Sequence, residues 1–348
     1  MGSKHSASRI TPVPVLPSSP RILIVRTDRL GDVVLTLPMA RAIKNAMPNA
    51  SVTFLASEYT RPIIERCPDV DEVRAIDANA SFWIMVRQFR GFEVAFFPSP
   101  RFRLALAAFV ARVPDRIGTG YRWYSFLFSS RIYEHRHTAE RHEAEYNLRM
   151  LAPMGIVPEP SVLPRIELHK AEQTEVDRWL RAHLSRADAA FVVLHITSGG
   201  STQPWPVQKF VEVGRAIAKQ HGMSMLLTGV DSDAATINAA AASIGTDRAF
   251  PFIGHPLLEL AALLDRASIV ITVGTGPGHL AAALGTPTIG VFPLPRPISK
   301  ERWGFRGPHI HNLSPKPISG CPNCKDCTCM ERIGLEDVMN AARPLFAL

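Results

Sequence analysis

The sequence predicts an α/β protein of two domains, each a parallel sheet covered by helices on both faces, with one central cleft between them. Three observations predict it. At 348 residues the chain exceeds the size at which one hydrophobic core usually stops growing, so two domains of roughly 150 residues follow. Short apolar strands alternate with amphipathic helical stretches along most of its length, the pattern of a parallel sheet. The alternation starts twice, at Arg21 and again at Ala190, with a polar helical stretch between.

The ordered chain is expected to open with the strand Arg21 to Arg26, followed by a turn at 27–32 and a helix from Val33 to Ala46. Ser51 to Ala56 reads as the second strand, Tyr59 to Cys67 as a helix, Glu72 to Ile76 as the third strand and Phe92 to Phe97 as the fourth. Helices are expected near Arg101 to Ala108 and Glu140 to Leu151. Lys170 to His183 is a polar helix, after which Ala190 to His195 begins the second strand set. A helix at Val207 to Gln220 and a strand at Met223 to Thr228 follow, then helices at Asp233 to Ala242 and Leu257 to Arg266. Ile269 to Val273 is a strand that feeds a glycine-rich turn, His279 to Leu284 is helical, and Thr288 to Phe292 is again a strand. Residues 1–20, with prolines at 12, 14, 17 and 20, read as a disordered leader. The domains are then 21–168 and 189–348, joined by an interdomain segment at 169–188.

Composition narrows the function. Apolar residues make up 46% of the chain, enough for two cores, and the 20% that are charged are too few for a disordered protein. No apolar run approaches the roughly 20 residues of a membrane-spanning helix, and the first twenty residues lack the apolar core of a signal peptide. A cytoplasmic protein is expected. The net charge of +8 favours anionic partners, yet no zinc-finger spacing, basic zipper or RNA-reading ribbon is present, so nucleic acid is not expected. An anionic membrane surface remains compatible with the charge.

Ligands of open α/β sheets bind beyond the carboxyl ends of the strands, which places two loops at the cleft. In Thr27-Asp28-Arg29-Leu30-Gly31-Asp32, glycine permits a tight passage into the helix and Asp32 stands in its first turn. Asp32 is either a helix cap or a carboxylate base for an attacking hydroxyl. In Gly274-Thr275-Gly276-Pro277-Gly278-His279, three glycines expose backbone N–H groups at a helix start, a concave site for a diphosphate. His279 either bonds a phosphate oxygen or satisfies a neighbouring carbonyl. Neither a nicotinamide fingerprint, a nucleotide-hydrolysing phosphate loop nor a serine-hydrolase elbow is present, Ser198-Gly199-Gly200-Ser201 included.

From Arg21 to Val338 the sequence resembles glycosyltransferase family nine, the group of the ADP-heptose:lipopolysaccharide heptosyltransferases. The resemblance rests on Arg29-Leu30-Gly31-Asp32 and the residues to Pro38, on Gly199-Gly200-Ser201-Thr202-Gln203-Pro204-Trp205-Pro206, on Thr275-Gly276-Pro277-Gly278-His279 and the residues to Pro287, and on Cys321-Pro322-Asn323-Cys324 with Cys329-Met330. It implies a GT-B fold of two Rossmann-like domains and an inverting, metal-independent transfer of a sugar, heptose for the type members, from an ADP-sugar to a lipopolysaccharide core acceptor. Under it Asp32 is the general base. Ser201, Thr202, Gln203, Asp233, Thr275, Gly276, Gly278 and His279 hold the donor, which is a substrate, so no cofactor is expected. Arg29, Gly31, Arg61, Arg116 and Arg122 are the candidate acceptor contacts. Three positions depart from the family pattern: Gly274 replaces an aspartate, Gln203 a lysine and Asp233 a glutamate. These departures leave open a different nucleotide sugar, or a catalytically weak relative that only binds glycan or nucleotide.

Residues 112–142 carry six arginines against Asp115, Glu134 and Glu140, which suits a phosphorylated or carboxylated acceptor or a solvated face. Of the aromatics there, Tyr121, Trp123 and Tyr124 are expected to be the exposed ones, either on a membrane interface or as a flap. Of Cys321, Cys324, Cys327 and Cys329 the first three have ligand-like spacing, but the single residue before Cys329 would strain a tetrahedral site, so a redox-sensitive or family-inherited loop in a tail wrapping the second domain is expected ahead of a structural zinc or cluster. No heptad run calls for a stable partner, so a monomer at the inner face of the membrane is expected.

Overall fold

The computed structural model describes residues 16–184, 189–318 and 328–347. Twelve strands fall into two sheets. The first holds β1 (Arg21–Val25), β2 (Ser51–Ala56), β3 (Glu72–Ala75), β4 (Val94–Phe96), β5 (Asp115–Thr119) and β6 (Ser130–Ile132), in the order β3-β2-β1-β4-β5-β6. The second holds β7 (Phe191–His195), β8 (Ser224–Gly229), β9 (Ala249–Ile253), β10 (Ile269–Val273), β11 (Thr288–Val291) and β12 (Ile310–Leu313), in the order β12-β11-β10-β7-β8-β9. Every pairing is parallel, for instance Ile24 with Phe54 and Phe96, and Ile271 with Leu194 and Ile289. Both sheets therefore follow one doubly wound order. Its direction reverses between β1 and β4 in the first and between β7 and β10 in the second, which are the two points where such sheets open a crevice.

Helices cover both sheets: α1 (Leu30–Val34), α2 (Pro38–Ala46), α3 (Arg61–Ile64), α4 (Phe82–Phe89), α5 (Phe102–Val110), α6 (Glu143–Arg149) and α7 (Lys170–His183) come first. Then come α8 (Val207–His221), α9 (Ala234–Ile244), α10 (Leu257–Arg266), α11 (Gly276–Leu284), α12 (Lys300–Trp303) and α13 (Leu335–Ala342). In the first half, Ile22, Ile24, Phe54 and Phe96 point to one face and Leu23, Val25, Leu55 and Phe97 to the other, the period-2 alternation of strands buried on both sides. The α4–α5 layer covers the second of these faces through Met85, Val86, Phe89, Leu104 and Ala108. Leu30 and Val34 of α1 share a cluster with Leu280 and Ala281 of α11 and with Val176 and Leu180 of α7, so apolar packing joins the two halves.

Several expectations need correction. The single helix expected over 33–46 is two, broken where Pro38 starts the second, because a proline lacks the N–H that a continuous helix would need there. Part of the expected leader is ordered: Leu16 packs against the first core, and the Pro20 carbonyl accepts the Ser51 N–H at 2.9 Å. Helix α11 begins at Gly276 rather than His279. The strands β5, β6, β9 and β12 and the helices α4, α12 and α13 were not expected. Among the described residues no helix is long and apolar enough to cross a membrane.

Candidate active site

The turn after β1 carries Arg26, whose side chain is buried at the sheet's direction reversal. Its guanidinium bonds the Asp32 carboxylate, and its Nε lies 3.1 Å from Asp28. Glu143, the first residue of α6 and 1% exposed, approaches Arg26 at 3.8 Å, bonds Arg136, and accepts from Arg302 of α12 at 3.0 and 3.1 Å. Arg101 caps the network on Asp28. Burial raises the Asp32 carboxyl above its ordinary range; Asp28 and Glu143 add to the rise, and Arg26 opposes it. Burial also works against the charge on Glu143, but Arg136, Arg26 and Arg302 together hold it below the usual range. Arg26 Nη1 is buried with no hydrogen-bond partner.

The turn after β10 faces this network. A Cβ on Gly31 would lie 2.8 Å from the His279 ring and 3.5 Å from the Gly276 Cα, and one on Gly276 would lie 2.9 Å from the Leu30 Cβ. Only glycine allows the starts of α1 and α11 to approach this closely. Thr275 precedes α11 in an extended conformation, its hydroxyl 3.0 Å from that of Thr272, which in turn donates to the His195 carbonyl. His279 is buried edge-on to Phe305, and burial, helped by His142, lowers it to about 3, so at neutral pH it is an uncharged imidazole. His195 is similarly lowered by burial to about 4 and bonds the Thr228 hydroxyl at 2.9 Å.

Between the halves lies a cavity of about 710 Å³. Arg29, Gly31, Asp32 and Tyr59 line it from the first half, while Ser201, Thr202, Asp233, Thr275, Gly276 and His279 line it from the second. Asp233 accepts from the Thr197 hydroxyl at 2.9 Å. The Thr202 hydroxyl is buried at the wall without a hydrogen-bond partner. Val230, Leu257 and Leu260 make the far wall apolar. Asp32 also lines a second groove with Arg26, Asp28, Ser99 and Arg101, and beside it a third is formed by Pro98, Tyr121, Arg122, His135, Arg136 and Arg302.

Four predicted site residues lie elsewhere. Arg116 sits at the amino end of β5, the end away from the cleft, and its guanidinium is spent on the carbonyls of Val113, Pro114 and Leu127. Arg61 is outside the grooves and pairs with Glu58 and Glu65. Gly278 faces Phe305, whose ring would stand 2.1 Å from a Cβ, so it serves packing rather than the cavity wall. Gln203 Oε1 faces the Cys329 thiol at 3.8 Å. At Gly274 a Cβ would meet the Phe292 ring at 2.7 Å, so the phenylalanine occupies the space a larger residue would need. Cys329 is buried on the second core, while Cys321, Cys324 and Cys327 lie outside the described residues. Among the described residues, no group of three or more His, Cys, Asp or Glu side chains is placed to hold a metal ion.

Arg26, Glu143 and Arg302 were missed. They stand far apart in sequence within no motif, and only the fold brings their charges together. Among the aromatics, Tyr124 is buried and donates to the Pro100 carbonyl, whereas Phe126 is exposed, the reverse of the expectation.

Residues 103–329 match the sequence model of glycosyltransferase family 9 (heptosyltransferase). The chain belongs to glycosyltransferase family 9. Lipopolysaccharide heptosyltransferase 3 of Escherichia coli K12 is 26% identical to this transferase over 75% of the chain and 79% of its own length. Lipopolysaccharide heptosyltransferase 2 of Salmonella typhimurium is 22% identical over 78% and 82%. Among solved structures, a family 9 glycosyl transferase of Veillonella parvula superposes with a TM-score of 0.84 at 20% identity, covering 96% of this chain and 99% of its own. The ADP-heptose lipopolysaccharide heptosyltransferase II of E. coli gives 0.78 at 17% identity, covering 94% and 98%. The transferase thus has the GT-B fold of heptosyltransferase-like enzymes.

Proposed function

We propose that this transferase moves a heptose from ADP-heptose to an anionic lipopolysaccharide-core acceptor with inversion at the anomeric carbon, Asp32 acting as general base. The reading is supported by one observation, the approach of Gly31 to Gly276, which brings the turn that carries Asp32 in one half against the start of α11 in the other, both lining one cavity.

In this reading the diphosphate lies on the start of α11 and the Thr275 hydroxyl, with Ser201 and Thr202 beside it and the ribose on Asp233. The adenine takes the apolar end formed by Val230, Leu257 and Leu260. The unpaired N–H groups at a helix start stabilise the charge that grows on the departing diphosphate, in water-poor surroundings where each is worth more. That supply of positive potential suits a chain with glutamine at 203 and glycine at 274, and it calls for neither a metal nor a cofactor. The acceptor enters by the grooves bordered by Arg29, Arg101 and Arg122, which suit phosphate or carboxylate groups, and its hydroxyl gives its proton to Asp32 as the oxygen attacks. Substrates of this kind suit a transferase working at the cytoplasmic face of the inner membrane. The names of the curated relatives support the heptose and the lipopolysaccharide acceptor.

Asp32→Asn tests the base. ADP binding should stay within about threefold, while transfer of heptose to a truncated lipopolysaccharide acceptor, read by mass shift, should fall by about 10² to 10⁴. Undiminished transfer by the variant would remove Asp32 from the role.

A further inference from the structure

The helices α4 and α5, which cover one face of the first sheet, leave their outer surface unpartnered. Both start at the cleft end of the sheet, and there large apolar side chains stand in water: Trp83 is 65% exposed, Trp123 74%, Ile84 47% and Phe102 38%. They stand on adjacent elements, the packed helices α4 and α5 and the loop after β5. The rings of Phe102 and Trp123 are 4.8 Å apart, and Arg103 ties the start of α5 to the loop before α4 through the Ala80 carbonyl at 2.9 Å. Monomeric proteins seldom expose several large apolar side chains on one face unless something covers them.

The charge around this edge says what covers it. Between residues 81 and 136 the chain carries nine arginines and three acidic residues, Glu93, Asp115 and Glu134; of the arginines, Arg101 and Arg136 are paired with Asp28 and Glu143, and Arg116 lies at the far end of β5. Glu93 and Glu134 are already engaged, by Arg21 and Arg149 respectively. Arg87, Arg103 and Arg122 are exposed among the aromatics. Tryptophan rings with arginines between them match the boundary of an anionic bilayer, where an indole rests at headgroup depth and a guanidinium bonds phosphate. The edge also adjoins the acceptor grooves, since Arg101 and Arg122, their borders, flank Phe102 and Trp123 in sequence.

We propose that this edge, built on Trp83, Ile84, Phe102 and Trp123, docks the transferase on an anionic phospholipid surface, so that the grooves beside Asp32 open toward the membrane. The position of the grooves rests on the proposed transfer to a glycolipid; the docking itself does not.

The test uses the full chain and vesicles of phosphatidylcholine with and without about 30% phosphatidylglycerol, chosen so that the bilayer is anionic in one arm and neutral in the other. The wild type should sediment with the anionic vesicles at low salt and much less with neutral ones. Trp83→Ser/Phe102→Ser/Trp123→Ser should lower that binding at least about tenfold while keeping the wild-type circular dichroism spectrum and thermal unfolding midpoint, which shows the first half folded. Arg103→Glu should weaken binding and flatten its salt dependence. Equal binding by the triple variant, or no binding by the wild type, overturns the proposal. So does a wild-type dimer in sedimentation velocity that the triple variant abolishes, because the edge then serves a second copy. Transfer to a lipid-free acceptor separates the two readings: its absence would strike at the enzymatic proposal and leave the docking result untouched.

Discussion

A carboxylate that takes a proton from a hydroxyl must be ionised at working pH and yet basic enough to hold what it takes. Asp32 meets both conditions through opposing neighbours: burial, Asp28 and Glu143 make it more basic, while the Arg26 guanidinium keeps it charged. As base it works only when deprotonated, so kcat/KM should fall on the acid side with a midpoint above about 3.9, the ordinary aspartate value. A pH profile of the wild type would check this, and an acid limb at or below that value would contradict the raised carboxyl. The buried histidines make a separate prediction about stability. His195 and His142 are lowered to about 4 and His279 to about 3, in each case first by burial. Their folded values lie below the unfolded value of about 6.5, so the unfolded chain takes up protons first. The stability they support is present above about pH 6.5 and is lost as pH falls toward 4, at about 1.4 kcal/mol per pH unit for each histidine. Urea midpoints measured across that range should decline, and His195→Asn should make the decline shallower.

At the scale of elements, the junction of α1 and α11 is the tightest constraint. Gly276→Ala would put a methyl 2.9 Å from the Leu30 Cβ and 3.2 Å from the Gly31 backbone nitrogen, and a backbone atom cannot step aside alone. The variant should lose about 1 to 3 kcal/mol of stability by denaturant titration and lose transfer activity more steeply than ADP affinity, because it parts Asp32 from the donor loop. Equal loss of both would place the effect in the donor loop alone. This junction was largely legible in sequence, because glycines at strand ends mark close approach. So were α7, a polar helix with Val176 and Leu180 on one face, α10, apolar at helical spacing, and β10, a short continuous apolar run, whose bounds all agree with the structure. The misses have physical causes. Pro251 argues against a strand at 249–253, but β9 is the edge of its sheet, where the missing N–H costs no ladder bond. The β-branched and aromatic residues of Phe82–Phe89 disguise a helix that Ser81 caps by accepting the Ile84 N–H. The charge network was hidden for another reason: Arg26, Glu143 and Arg302 become neighbours only once both sheets are built.

At the scale of the whole molecule, the same network is a fastening between the halves. Glu143 and Glu145 of α6 hold Arg302 of α12 and Arg306 just beyond it, and the His142 imidazole lies 2.7 Å from the Gly304 carbonyl. Arg306 also reaches the Pro160 carbonyl at 2.9 Å. Three residues of the second half, Arg302, Gly304 and Arg306, are thus stitched to the helix that steadies Arg26. Arg302→Met/Arg306→Met cuts the charged stitches and still leaves Glu143 neutralised by Arg26 and Arg136, so the first half should keep its fold. With the fastening gone, the halves should spend more time apart, and solution scattering without nucleotide should give a larger radius of gyration than the wild type. The donor contacts proposed here all belong to the second half, so ADP affinity should change little. Transfer requires Asp32 from the first, so kcat should fall by about tenfold or more. A double variant with wild-type scattering and wild-type kcat would mean that apolar packing of Leu30 and Val34 against α11 holds the halves together without help from these charges.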